Sequence, residues 1–191
     1  MIIGITGGSG CGKTTLLNEI HKLGGLVLDC DAIYHQLLAT DTEMLAAIEA
    51  RFPGVVENGQ LNRKKLGGIV FADESALLDL NKITHAAVKA DVLHQLESQP
   101  KLAAIDAIGL FEGGLAEICD VTVAVTAPVE DRIQRLMARD GISEEYARSR
   151  IAAQHSEDWY RQRCQYVLEN DADFDAFATK CVAFLDTLGI M

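Results

Sequence analysis

The sequence is short of positive charge. Its 17 lysines and arginines stand against 28 aspartates and glutamates, so the 191-residue chain carries a formal net charge of -11. Binding to duplex nucleic acid depends largely on Lys and Arg that displace counterions from phosphates. This charge balance argues against a nucleic-acid partner, and any affinity for phosphate is expected to be local.

Disulfide frameworks, metal clusters and membrane spans also lack support in the sequence. The five cysteines are odd in number and show no CxxC spacing, and the five histidines show no HExxH or paired spacing. No uncharged run reaches membrane-spanning length, and no basic N-terminal region precedes a long apolar stretch. We therefore expect a soluble cytoplasmic protein with reduced cysteines, no permanent metal and no membrane partner.

A phosphate-binding motif is present near the N-terminus. Residues 7–14 read GGSGCGKT, which fits GxxxxGK[ST], and they directly follow the apolar run at 1–5. Glycines let backbone N–H groups curl round phosphates, Lys13 reaches the outer phosphates, and the Thr14 hydroxyl can ligate Mg²⁺. The helix expected from Lys13 adds the positive end of its dipole. We predict a nucleoside triphosphate site formed by Gly8, Ser9, Gly10, Cys11, Gly12, Lys13, Thr14 and Thr15.

Short β-rich runs alternate with segments of helical periodicity along the chain. That alternation is typical of a parallel sheet flanked by helices. The length, with 49% apolar and 24% charged residues, indicates one globular domain. Five strands are predicted, at residues 2–6, 26–28, 102–105, 121–125 and 166–168.

Two further segments have predicted roles. Residues 31–100 separate the second and third strands and look helical at 44–52, 63–71 and 75–99, so we expect this insert to carry the second substrate. After the fourth strand, Pro128 suits the first turn of a helix and Gly141 its end. Ser143 then suits the N-cap of a short helix that runs to about Gln154.

Two carboxylates, Asp29 and Asp31, follow the second strand. Ligands of open α/β sheets collect at the carboxyl ends of strands. One of the two, Asp31 in our interpretation, would accept the proton of a substrate hydroxyl as its oxygen attacks the γ-phosphate of ATP. The alternative is a helix cap, since strand-to-helix junctions favour Asp, and spacing alone favours that reading.

Six segments resemble those of dephospho-CoA kinases, in the family's order and at its approximate spacing: ITGGSGCGKTT, LDCDAIYHQLL, GQLNRKKLGGIVF, LNKITH, DAIGLFE and RLMARDGISEEYARSRIAAQ. The resemblance covers nearly the whole chain. It implies a P-loop kinase fold, α/β with a central parallel five-stranded sheet, that phosphorylates the ribose 3′-hydroxyl of dephospho-CoA with ATP and Mg²⁺. The implied parts are a core at 1–30, 101–140 and 155–191, a helical acceptor-binding insert at 31–100 and a lid at 141–154.

The resemblance also implies roles for single residues. Asp31 falls on the catalytic base, Lys13 on the phosphate-binding lysine and Thr14 on the Mg²⁺ ligand. Arg135 is left open between the ATP site and a solvated helix face. Further residues implied for ATP are Arg139, Arg150 and Asn170, and those implied for dephospho-CoA are Asp31, Arg63, Phe71, His85, Asp106 and Glu112.

Two alternatives stay open. Departures from the family pattern at 106–112 and at Ala86 allow a nucleoside or nucleotide kinase with another acceptor. A nucleotide-dependent switch is the second, because 106–109 fits the DxxG element of GTPases and 81–84 resembles their NKxD element. Thr84 replaces the guanine-reading carboxylate, however, so we interpret both matches as coincidences. We expect a monomer or weak oligomer.

Overall fold

The structure is a computed structural model that describes residues 1–190 as alternating strands and helices. The strands are β1 (Ile2–Thr6), β2 (Leu26–Asp29), β3 (Val56–Glu57), β4 (Gln60–Leu61), β5 (Ala103–Asp106), β6 (Val121–Thr126) and β7 (Tyr166–Glu169). The helices are α1 (Lys13–Lys22), α2 (Cys30–Thr40), α3 (Thr42–Arg51), α4 (Arg63–Val70), α5 (Glu74–Leu96), α6 (Val129–Asp140), α7 (Glu144–Ala152), α8 (Glu157–Arg163) and α9 (Phe174–Thr187). A short 3₁₀ helix spans Ala116–Ile118.

A five-stranded parallel sheet has the order β2-β5-β1-β6-β7. The central strand β1 pairs with β5 and β6, so that Ile3 lies opposite Ala104 on one side and Val121 on the other. Each of the five predicted strands is confirmed to within one residue at either end. Because parallel strands end at the same edge, the segments after β1, β5, β6 and β7 gather there.

One hydrophobic core holds α1 and α9 against this sheet. Ile3 and Ile5 of β1, Leu16 and Ile20 of α1, and Leu185 of α9 have no exposed surface. Residues two apart in a strand and four apart in a helix share a face, so these side chains meet. Burying each contributes about 1.5–3 kcal/mol. This packing fixes the end of β1 and the start of α1, and therefore the loop between them.

The described chain divides into two compact units. The first comprises Met1–Leu28, Pro100–Leu110 and the residues from Leu115 onward, and the second comprises Asp29–Gln99 and Phe111–Gly114. The second unit contains α2 to α5 and also the antiparallel β3–β4 hairpin, which was not predicted. Its turn, Asn58 and Gly59, has φ of 52° and 77°, the positive values that this dipeptide favours between hairpin strands.

The segment predicted to be a lid contains α7, which packs on α6. Pro128 precedes the first helical residue of α6 instead of lying in its first turn, whereas Gly141 ends that helix at φ 65° as expected. The Ser143 hydroxyl accepts a hydrogen bond from the Tyr146 N–H at 3.2 Å, which confirms the cap. The two helices share a core of Ile133, Leu136 and Ala147.

Within the described range 1–190, none of the helices combines the length and the apolar character that crossing a bilayer requires.

Candidate active site

The loop from Gly7 to Gly12 contains most of the residues predicted to bind the nucleotide, and it ends at the start of α1. Gly12 has φ 97°, a left-handed backbone conformation that residues with a Cβ rarely adopt. A Cβ at Gly12 would also lie 2.3 Å from Asn170 Nδ2. No side chain caps the start of α1. The positive end of the helix dipole is therefore left for a bound phosphate.

Lys13 lies beside a carboxylate of the neighbouring strand. Its Nζ donates to the Gly7 carbonyl at 3.1 Å and lies 3.8 Å from Asp106 Oδ1. The two side chains are only 14% and 18% exposed, so solvent screens their attraction weakly. The structure thus brings together Lys13, predicted for ATP, and Asp106, predicted for the acceptor.

The oxygen donors around this loop fit a divalent cation carried by the triphosphate. Thr14 is exposed in the first turn of α1, and Asp106 ends β5. Among residues 1–190, no three His, Cys, Asp or Glu side chains cluster closely enough to hold a metal. A hydroxyl and one carboxylate are the protein ligands that P-loop proteins give to Mg²⁺, whose other ligands are water and phosphate.

Two arginines of α6 contact the phosphate loop. Arg132 Nε donates to the Ser9 carbonyl at 2.9 Å, and Arg135 Nη1 donates to the Gly10 carbonyl at 3.2 Å. Arg135 therefore contacts the phosphate loop, and its half-buried side chain does not lie on a solvated helix face. No role was predicted for Arg132. The available signal was its spacing of three residues from Arg135, which places both on one helix face.

Asn170 lies buried behind the same loop. Its Nδ2 donates to the Cys11 carbonyl at 2.9 Å, and its Oδ1 accepts from Arg135 Nη2 at 3.4 Å. Asn170, which was predicted to bind ATP, thus holds the backbone of the phosphate loop. Burial raises the pKa of the Cys11 thiol, although the charges of Arg132 and Lys13 oppose the shift. The Cys11 thiol therefore stays protonated near neutral pH.

The two arginines predicted around the lid converge on one carboxylate. Arg139 Nε lies 2.7 Å from Asp140 Oδ1, and Arg150 Nη1 lies 2.6 Å from Asp140 Oδ2. Their hydrogen bonds, that of Arg139 foremost, lower the pKa of Asp140 to about 2. Asp140 was not singled out in the sequence, although it directly follows Arg139. Through it, the end of α6 is tied to α7.

Asp29 takes the capping role that was weighed for Asp31. The strand ends at Asp29, whose Oδ1 accepts from the N–H groups of Asp31 at 2.9 Å and Ala32 at 3.0 Å. Asp29 is therefore the helix cap. Asp31 belongs to α2 and does not continue the strand, so the two carboxylates are not neighbours on one strand face. The exposed Asp31 carboxylate has no hydrogen-bond or ion-pair partner within residues 1–190. It remains available to a ligand.

Most residues predicted for dephospho-CoA belong to the second unit. Arg63 begins α4 and is exposed, Phe71 follows α4 with 88% exposure, and His85 is half-buried in α5. Glu112 lies in the segment Phe111–Gly114 of this unit. Tyr34 of α2 lies near Arg63: burial raises the pKa of Tyr34, and the charge of Arg63 opposes the rise.

The segment 81–84, which resembles the NKxD element of GTPases, lies within a helix. Asn81, Lys82 and Thr84 all lie inside α5. The Thr84 hydroxyl donates to the Leu80 carbonyl at 3.1 Å, a bond within the helix. This confirms that the NKxD resemblance is a coincidence.

The fold and the loop together define a class of protein. A parallel five-stranded sheet carries the GxxxxGK[ST] loop on its central strand, with arginines and a lysine around it. These are the features of a P-loop kinase, an enzyme that transfers a phosphoryl group.

Comparison with known proteins gives the family. The family model described as dephospho-CoA kinase matches residues 1–176, and the chain belongs to that family. The dephospho-CoA kinase of Latilactobacillus sakei is 33% identical over 189 residues, covering 96% of this chain and 94% of the relative. That of Thermobifida fusca is 38% identical over 173 residues, covering 88% and 86%. The resemblance read from the sequence is thereby confirmed.

Solved structures share this fold. The protein titled TT1252 from Thermus thermophilus superposes with a TM-score of 0.81 at 34% identity, covering 98% of this chain and 97% of that one. A shikimate kinase from Bacteroides thetaiotaomicron superposes with a TM-score of 0.59 at 17% identity, covering 99% and 98%. At that identity the second likeness extends to the fold alone.

Proposed function

We propose that this kinase transfers the γ-phosphoryl group of ATP to the ribose 3′-hydroxyl of dephospho-CoA and so produces CoA, the last step of coenzyme A biosynthesis. The observation that carries the proposal is the dephospho-CoA kinase match over residues 1–176, which includes both the phosphate loop and the helical insert. The intact loop supports ATP as the phosphoryl donor.

The donor side of the reaction rests on Lys13 and the loop N–H groups. Lys13 exchanges the Gly7 carbonyl for an oxygen of the outer phosphates, where its charge stabilises the charge that develops in the transition state. Thr14 and Asp106 would hold Mg²⁺, which neutralises charge on the β- and γ-phosphates when bound. Arg139 and Arg150 exchange Asp140 for phosphate oxygens, because phosphates accept bidentate arginine bonds equally well.

The acceptor side rests on Asp31. Its carboxylate orients the 3′-hydroxyl and takes its proton as the oxygen forms a bond to the γ-phosphorus and the bond to ADP breaks. The exposure of this carboxylate and its lack of a partner within residues 1–190 support the role. In the same proposal, Arg63 pairs with a phosphate of dephospho-CoA, the exposed ring of Phe71 packs on the acceptor, and His85 and Glu112 bind its polar groups.

A coupled ADP-release assay with ATP and Mg²⁺, run with and without dephospho-CoA, tests the proposal, with mass spectrometry to identify the product. ADP release that requires dephospho-CoA and yields CoA is expected. ATP hydrolysis indifferent to dephospho-CoA would show that the substrate is another one, and a screen of nucleosides and nucleotides would follow. Slow hydrolysis with no acceptor at all would favour a nucleotide-dependent switch.

We also propose that the enzyme works in the cytoplasm, as a monomer or weak oligomer. The free cysteines among residues 1–190 support a reducing compartment. Light scattering of the purified protein over a range of concentrations tests the oligomeric state.

A further inference from the structure

Arg132 is a buried cation without a carboxylate partner. Its side chain is only 6% exposed. The guanidinium donates from Nε to the Ser9 carbonyl at 2.9 Å and from Nη2 to Gln154 Oε1 at 3.2 Å, and both acceptors are neutral. No carboxylate of residues 1–190 pairs with it. Burial of an ion is costly unless an opposite charge compensates it. Because the residues around Arg132 supply no such charge, its buried guanidinium favours a bound anion nearby.

Gln154 completes the cluster from the end of the lid segment. Its Oε1 also accepts from the Ser9 N–H at 2.8 Å, and its Nε2 donates to the Ser9 hydroxyl at 2.7 Å. All three polar groups of Ser9, a residue of the phosphate loop, are thus bonded to Arg132 or Gln154. We call Ser9, Arg132 and Gln154 the loop clasp.

The clasp lies directly against the phosphate loop. A Cβ at Gly8 would lie 2.1 Å from Arg132 Nη2 and 2.9 Å from Gln154 Oε1, so only glycine allows this approach. Glu157 lines a small cavity together with Gly8 and Arg132, but its carboxylate accepts from Arg161 Nε at 2.9 Å. The charge of Arg132 is therefore held against the loop and stays uncompensated.

The arginines of α6 differ in whether a carboxylate neutralises their charge. Arg139, at the end of the helix, pairs with Asp140. Arg132 and Arg135, which reach the loop, bond only to neutral oxygens among residues 1–190. The uncompensated charge is thus concentrated where the nucleotide phosphates are proposed to bind.

We propose that Arg132 is a positioning residue that supplies buried positive charge to the triphosphate site, acting through the loop clasp and without touching the nucleotide. The inference rests on the proposed nucleotide binding. The phosphates of the ligand compensate the charge of Arg132 through a medium that screens less than water, so its effect grows with the number of phosphates.

The test compares Arg132→Gln with the unchanged protein. The amide retains a donor for the Ser9 carbonyl and removes the charge. Kd values of ATP, ADP and AMP are measured by calorimetry, and Tm is measured without ligand. For R132Q we expect the Kd of ATP to rise roughly tenfold, that of ADP to rise less, and that of AMP to stay within about twofold. Tm without nucleotide should hold or rise, because an uncompensated buried charge is gone.

Arg148→Gln is the matched control. Arg148 is exposed and pairs with Glu130 and Glu144, so R148Q removes the same formal charge from the same unit without touching the loop. None of the three Kd values should change in this variant, because solvent screens an exposed charge. An equal weakening of ATP binding in R148Q would overturn the proposal, since net charge alone would then explain the effect.

Two results in R132Q would also overturn it: an equal rise of all three Kd values, or a lower Tm with unchanged ATP affinity. Either would show that Arg132 only maintains the shape of the loop. If R132Q does not fold, Arg132→Lys distinguishes a charge role from a shape role. The charge role predicts that the Kd of R132K for ATP stays within about threefold of that of the unchanged protein. A shape role predicts weaker binding of all three nucleotides to R132K. An unchanged protein that binds no nucleotide would refute the proposed function itself.

Discussion

The two compact units hold their predicted site residues in opposite ways. Around the phosphate loop of the first unit, side chains are bonded to one another and to the backbone: Arg132 and Gln154 hold Ser9, and Asn170 holds the Cys11 carbonyl. In the second unit, Arg63 is exposed, Phe71 is 88% exposed, and Asp31 has no partner within residues 1–190.

The difference teaches which residues the fold itself positions. A phosphate loop that is braced from several sides is ready for its ligand, and binding energy is not spent on ordering it. The proposed acceptor residues would gain their contacts only when a ligand binds. Substitutions that remove a hydrogen-bond donor from the loop backbone should therefore alter stability and nucleotide binding together, whereas substitutions in the second unit should alter turnover or acceptor binding alone.

Asp31→Asn gives the largest expected effect. Loss of a general base lowers turnover by roughly 10²- to 10⁴-fold. The Kd of ATP and the Tm should not change, because this carboxylate is exposed and without a partner in the described chain. ADP release measured with saturating dephospho-CoA gives kcat, and a thermal melt gives Tm.

Asp29→Asn is the control for Asp31. Asn caps helices about as well as Asp, so D29N should keep both Tm and kcat. Turnover retained in D31N would exclude Asp31 as an essential base. Turnover lost in D29N alone would assign that role to Asp29.

Phe71→Ala tests the acceptor side at the next level of effect. Burial of a phenylalanine side chain against a ligand contributes about 1.5–3 kcal/mol, so the KM for dephospho-CoA should rise about tenfold or more. The KM for ATP and the Tm should stay constant, because the ring is 88% exposed. Leu78→Ala, at a residue of α5 that is 55% exposed, is the control. An unchanged acceptor KM in F71A would remove Phe71 from the site.

Elements with strong local signals could be predicted from the sequence. The strands of the sheet were found because β-rich runs between helical segments are visible without knowledge of the fold. The elements that were missed include the β3–β4 hairpin, whose strands have two residues each, the 3₁₀ helix and α9. The apolar spacing of Phe177, Cys181 and Phe184 was a helical signal that had not been used.

The site was predictable where a motif fixes it and not where tertiary packing does. Lys13 lies in a loop whose pattern specifies it. The bond from Arg132 to Ser9 joins residues 123 positions apart, and the bond from Ser9 to Gln154 joins residues 145 apart. No local pattern reports such contacts. Which of Asp29 and Asp31 caps α2 depends on the last residue of β2, a boundary that sequence patterns resolve poorly.

Asn170→Ala tests whether the loop is braced from behind. The buried Cys11 carbonyl loses its donor, which should lower the free energy of unfolding by about 1–3 kcal/mol. The Kd of ATP should rise as well, because the loop is less ordered. Urea denaturation and calorimetry measure the two effects. Asn18→Ala, at an exposed residue of α1, is the control, and an equal loss in both variants would contradict the bracing role.

Asp140→Asn gives the smallest effect and decides what the comparison between the units means. Asp140, Arg139 and Arg150 belong to the first unit, yet their side chains are 25%, 60% and 34% exposed. The arginines lower the pKa of Asp140 to about 2 from 3.8, so the stabilisation is present above pH 4 or so and is lost as pH falls towards 2. The Tm difference between the unchanged protein and D140N should therefore be small and constant near neutral pH and vanish in acid.

If the Tm difference for D140N near neutral pH were as large as that for N170A, hydrogen bonds of exposed residues would stabilise the first unit as much as those of its buried residues. A difference that persists at pH 2 would mean that Asp140 is not held as a carboxylate by the arginines. The expected small, acid-sensitive Tm difference would instead show that the stabilising hydrogen bonds are those of the buried residues around the phosphate loop. Arg139 and Arg150, held only by ion pairs with the partly exposed Asp140, would then resemble the proposed acceptor residues, because both groups are proposed to form their ligand contacts only on binding.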